Sequence, residues 1–179
     1  MKIVSLLLLT GFLCAFRTND TPHRTHFPEP PHTPNRLFYI QRSNDANTVM
    51  YEANLRSDKK LNPETPLNVY WIRYAERGQR EDLSALQWQL AYGYKHRDLG
   101  TAANYVEINL NAFKKRSIFV ANHEGKLVAF TQINGEKAAL QKVFVQLASN
   151  GLIPKVHSIE LFGFDYTKEK AVYERILIQ

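Results

Sequence analysis

Cysteine is almost missing from this 179-residue chain, whose one thiol, Cys14, sits inside an apolar N-terminal run. A lone cysteine forms no intramolecular disulfide, and removal of that run leaves no thiol, which argues against thiol catalysis. The motifs of common chemistries are missing as well. There is no glycine-rich phosphate loop, no Gly-x-Ser-x-Gly elbow, no His-Glu-x-x-His and no cysteine pair. "NHEGK" sets His123 beside Glu124, and His157 adjoins Ser158. Adjacent residues on a strand or turn diverge, so neither pair is a ready metal or nucleophile–base site. No metal and no cofactor are expected.

Charge of a single sign is not concentrated either. The formal net charge is +6 and the pI about 9.4, yet both signs recur along the chain. The densest basic cluster, "KKR" at 114–116, lies between two strand-like runs and reads as a solvated turn. Scattered charge argues against nucleic acid as a partner. Beyond residue 16 no apolar run approaches the roughly 20 residues that a spanning helix needs, so no transmembrane span is expected in the mature chain.

What is present begins with "MKIVSLLLLTGFLCAF". An early lysine followed by a short apolar run fits a secretory signal peptide over 1–15, and implies an exported, periplasmic or extracellular protein. Lipoprotein anchoring through Cys14 is the alternative, opposed by Leu13 where a small residue should precede the modified cysteine. Residues 16–35 then gather five of the eight prolines with His23, His26 and His32. So little apolar surface cannot offset ordering entropy, and the segment reads as a disordered tether to a single domain over 36–179.

Within that domain, period-two alternation marks strands at 36–43, 48–55, 68–78, 105–110, 117–122, 126–133, 139–147, 155–164 and 171–178. Gly125 in "NHEGK" supplies the positive φ of a hairpin turn. One segment departs from the pattern. Leu83, Leu86, Leu90, Ala91 and Tyr94 recur at helical spacing, predicting one principal helix within 81–97. The expected fold is therefore mainly β, an antiparallel β-barrel or sandwich of about nine strands with one principal helix.

"NVYWIRYAERG" at 68–78 is the most unusual strand. Alternation places Val69, Trp71 and Arg73 on one face, and Tyr70, Ile72 and Tyr74 on the other. An inward Arg73 needs a carboxylate or a ligand anion, since an unpaired buried charge is very costly. Glu52, Glu107, Glu160 and Glu174 lie in strands and could supply it. The first hairpin repeats the theme with Tyr39, Arg42, Tyr51 and Glu52. The candidate ligand-binding set is Tyr39, Arg42, Glu52, Tyr70, Trp71, Arg73 and Tyr74, weighed against an aromatic-rich barrel whose charges simply face water.

"RLFYIQRSNDANTVMYEANL", "PLNVYWIRYAERG", "LQWQLAYGYK", "KVFVQL" and "KVHSIELFGFD" together resemble a family of small exported bacterial proteins classed as a domain of unknown function, over about 36–178. The resemblance implies a bacterial, exported protein and brings no catalytic residues with it. The leading expectation is a non-enzymatic binding module for a small amphipathic ligand or glycan, held by aromatic rings with polar tips. The alternatives are a hydrolase or isomerase using a carboxylate with Arg73 and a tyrosine, and a structural or assembly protein of the cell envelope.

Overall fold

The computed structural model describes residues 27–100, 104–114, 116–148 and 155–178. Residues 1–15, read above as a signal peptide, with Cys14, His23 and His26, lie outside the described residues. The described residues form eleven strands: β1 (Arg36–Arg42), β2 (Asp45–Ala53), β3 (Leu67–Ile72), β4 (Arg80–Asp82), β5 (Tyr94–Gly100), β6 (Tyr105–Leu110), β7 (Ile118–His123), β8 (Lys126–Ile133), β9 (Glu136–Ala148), β10 (Lys155–Asp165) and β11 (Lys170–Leu177). They form one curled, half-barrel sheet.

Strand β9 organises it. One edge of β9 pairs with β10, and β11 follows beyond. The other edge is divided, with β8 taking Glu136–Ala139 and β1 taking Lys142–Val145. Two wings therefore leave a common stem, β1-β2-β3-β4 on one side and β8-β7-β6-β5 on the other. The wings turn their inner faces toward each other. Tyr51 donates to the Tyr92 carbonyl at 2.7 Å, and the Tyr94 hydroxyl bonds both N and O of Leu67 at 3.0 Å. Phe38 stacks on Tyr51 at 4.4 Å inside this core. The stem coils tightly at Gly163, where a Cβ would lie 2.5 Å from the Ala139 carbonyl oxygen. Only glycine fits that approach.

Three expectations about the sheet and the helix are corrected. The sheet is mixed, because β1 runs parallel to β9. Strand β4 and strand β5 are additional, and β5 begins within the 81–97 segment expected to be helical. The helix shrinks to one α-turn, α1 (Ala85–Gln87), running into a π-helical turn at Trp88–Tyr92. Gly93 then adopts extended backbone and starts the chain toward β5. Neither turn buries a residue fully: Leu86 and Leu90 are exposed, while Leu83 and Tyr92 pack against the core and Tyr94 enters it.

Residues 27–35, within the stretch read as a tether, lie along the outer face of the sheet. The Phe27 ring meets Phe144 at 6.2 Å, Gln41 donates to the Pro28 carbonyl at 2.9 Å, and Arg36 donates to that of Pro30 at 2.7 Å. Thr33 donates to the Glu52 carboxylate. Prolines suit such an arm because their carbonyls stay free to accept and they lose little entropy on ordering.

Candidate functional site

The inner faces of the wings do not meet at the stem. There they leave a cleft of about 290 Å³. Its floor is aliphatic, made by Ile40, Leu140, Val143, Val145, Ile159 and Leu161. These residues come from β1, β9 and β10; period two aligns Val143 with Val145 and Ile159 with Leu161, and the irregularity in the β9–β10 pairing between Leu140 and Lys142 brings Leu140 to the same face. Tyr92 and Phe113 stand at the sides, and two arginines, Arg42 and Arg116, complete the lining with Asn44.

Each arginine is held by its own carboxylate. Arg42 donates to Asp45 at 2.7 Å, with its guanidinium 5.1 Å from the Trp71 ring and 5.9 Å from that of Tyr92. Its Nε is buried without a partner. Arg116 makes a two-pronged contact with Glu174 at 2.6 and 2.9 Å and also donates to the Gln132 carbonyl. Burial opposes ionisation of Glu174, but hydrogen bonds from Arg116 and the Asn134 N–H outweigh it, so its pKa lies below the usual carboxylate value. Burial raises the Tyr92 pKa, with the neighbouring Arg42 working against it. The result is an apolar slot with two oriented cations and a phenol along its lining.

The sheet divides the expected site residues between its faces. Arg42 lines the cleft, and Trp71 is buried behind its guanidinium. Trp71 packs edge-on against Tyr92 at 5.0 Å. Arg73 follows on the same side but stops short of the cleft. It bonds Glu76 at 2.9 Å, lies 3.4 Å from Glu81 and stands 5.8 Å from the Trp71 ring. Tyr39, Glu52, Tyr70 and Tyr74 belong to the opposite face, under or beside the proline arm. Burial pushes the Tyr39 hydroxyl up to about 12, and burial with the adjacent Glu52 carboxylate does the same to Tyr70. The Arg80 guanidinium lies 3.7 Å from the Tyr70 ring. Both faces of β3 are thus covered, which a choice between an inner and an outer face did not foresee.

Sequence reasoning missed Arg116, Tyr92 and the aliphatic floor. The "KKR" cluster does sit at a turn, yet Arg116 reaches back across it to a carboxylate 58 positions later. A signal existed in Glu174, already named as a strand carboxylate able to pair with an arginine, though with Arg73.

The family described as "Domain of unknown function (DUF4833)" matches residues 38–175. The chain belongs to that family. The match begins within β1 and ends within β11, so it reaches from the first strand of the sheet to the last. No curated protein and no solved structure matches the chain. Among the described residues no group of three or more His, Cys, Asp or Glu could hold a metal ion, and no helix is long and apolar enough to cross a membrane.

The outer face carries a different polar feature. Glu160 is fully buried there, and neither carboxylate oxygen has a hydrogen-bond partner. Burial lowers the Lys142 pKa while the Glu160 charge opposes that shift. The Lys142 ammonium stands 5.3 Å from the Phe144 ring and 5.6 Å from that of Phe162. Arg175 stands opposite Glu160 in the β10–β11 register, and neither it nor Lys142 hydrogen-bonds the carboxylate.

Proposed function

We propose that the protein is an exported, non-enzymatic binding module for a small amphipathic ligand carrying an apolar tail and an anionic head. The observation that carries this reading is the aliphatic cleft with Arg42 and Arg116 in its lining. Binding sites are commonly apolar slots with a few placed polar groups, and this one lies at the small end of their usual range of roughly 300–1,000 Å³. The tail would lie on Val143, Val145, Ile159 and Leu161. The head would meet guanidinium groups whose planar donors suit a carboxylate or phosphate. The buried, unpartnered Nε of Arg42 supports a further acceptor beside it.

The test is calorimetric titration with decanoate and, in parallel, with decanol. Decanoate is expected to bind, and Val143→Trp, which fills the slot, should weaken both ligands by about tenfold or more. Arg42→Gln should weaken decanoate while sparing decanol. Equal affinities in wild type and Val143→Trp would overturn the reading.

A glycan is the second reading, and a neighbouring hollow that shares Arg116 and Thr131 with the cleft favours it. Tyr105, Phe119 and Phe130 line a wider hollow of about 610 Å³ together with Gln132 and Lys137. Aromatic rings beside amide and ammonium donors suit a sugar face.

A further inference from the structure

Ile118 lines the cleft, whereas Phe119 and Ala121 line the neighbouring hollow. Alternation along β7 therefore sets the two cavities on opposite faces of the second wing. A continuous backbone ladder would separate them. Here the ladder stops short. The β7–β8 register runs from His123 opposite Lys126 to Phe119 opposite Phe130, and ends there. Side chains take over beyond that pair. Thr131 Oγ1 donates to the Ser117 carbonyl at 2.8 Å, and Arg116 donates to the Gln132 carbonyl. Arg116 and Thr131 thus stand where the strands part, and both belong to both linings.

The chemistry changes across this opening. The cleft is floored by aliphatic side chains, while the hollow is faced with rings. Tyr105 and Phe119 lie 6.3 Å apart, and the Lys137 ammonium is 4.8 Å from the Phe130 ring. Gln132 adds an amide. Glu107 stands opposite Phe119 but is paired with Arg97 at 2.6 Å, so that carboxylate is already neutralised. Arg116 bonds Glu174 and the Gln132 carbonyl, which leaves part of its donor set for a further anion.

We propose that the natural ligand is a lipid-linked sugar phosphate that spans both cavities. Its alkyl chain lies in the cleft, its phosphodiester at Arg116, and its sugar against Tyr105, Phe119 and Phe130. The proposal rests on the amphipathic-ligand reading of the cleft and adds what lies beyond the anionic head.

The position of Arg116 selects the linking group. A carboxylate ends a chain, and joining it to a sugar as an ester removes its charge. A phosphodiester carries a substituent on each side and stays anionic. Its oxygens suit guanidinium donors. Beyond it, ring faces offer apolar contact to the sugar while amide and ammonium groups meet its hydroxyls. Occupying both cavities with one molecule makes the second contact intramolecular, so the joined ligand binds more tightly than its parts.

The test is calorimetric titration of the full chain with decyl phosphate, glucose 1-phosphate and their joined form, decyl glucosyl phosphate. The joined probe should bind about tenfold or more tightly than decyl phosphate, and glucose 1-phosphate most weakly. Ala121→Trp, which fills the hollow from a half-buried position, should abolish that gain and leave decyl phosphate binding unchanged. Tyr105→Ala, at an exposed ring, should reduce the gain in the same direction and serves if the first variant fails to fold. Val143→Trp should weaken both alkyl probes. Equal affinities for the two alkyl probes in wild type would overturn the proposal and leave the cleft reading standing. A gain that survives both hollow variants would overturn it as well, as would joined-probe binding that Val143→Trp does not weaken. Absence of binding by either alkyl probe would remove the cleft reading and the proposal together.

Discussion

The two faces of the curled sheet use charge in opposite ways. On the inner face, Arg42 and Arg116 are each matched by a touching carboxylate and stand along an aliphatic slot. On the outer face, Glu160 is enclosed without one hydrogen bond, with Lys142 as a distant counter-charge among aromatic rings. Paired, partly exposed cations cost little to keep and remain available to a ligand. A buried charge without a direct partner costs stability and makes no contact that would return it. The inner face is thereby suited to binding, and the outer face to being closed by the 27–35 arm.

The strongest way to break this comparison is to disturb the inner face at its anchor. Trp71 is fully buried, touches Tyr92 and lies under the Arg42 guanidinium. Trp71→Ala should cost about 3–5 kcal/mol in denaturant-derived stability and loosen the cleft lining. A loss below about 1 kcal/mol would mean that the inner face tolerates a void where dense packing is claimed.

A smaller effect, of opposite sign, is expected outside. Glu160→Met removes an unsatisfied buried charge while preserving length, and should raise stability by about 1–3 kcal/mol. Lys142, half-buried, can turn its amine toward water. Destabilisation of that size instead would show that Glu160 is satisfied in solution, and the contrast between faces would then narrow.

The smallest effect belongs to the rim. Arg73 bonds Glu76 three residues away and approaches Glu81, and both carboxylates are about half exposed. Exposed pairs contribute roughly 0–1 kcal/mol, so Arg73→Ala should change stability by no more than that and leave decanoate binding intact. A large loss of affinity would extend the binding site from the cleft to the 73–81 turn.

Much of the strand content was legible because alternation is local. β6 and β8 occupy the spans that their period-two patterns predicted, and β10 and β11 come within a residue of theirs. The β7–β8 turn was legible for the same reason, since Gly125 takes φ +81° beside Glu124 at φ 51°. The helical stripe misled, because spacing shows that Leu86 and Leu90 share a side and says nothing about what that side meets. The candidate site was legible in part. Arginine beside aromatics and strand carboxylates were both recognised, but Arg73 was matched with partners that belong elsewhere.

By itself the sequence determined a β-rich chain, the facing of residues within each strand, and an aromatic-rich first wing. Tertiary structure decided which strands became neighbours. The parallel β1–β9 pairing joins segments about a hundred residues apart, and it creates the stem whose aliphatic floor receives a ligand in our reading. It decided as well that Glu174 meets Arg116, and that β3 is covered on both faces. The physical reason is that a two-residue period sets orientation along a strand but carries no term for which distant strand lies beside it. That choice is made by burial summed over the whole sheet, against the entropy of closing long loops.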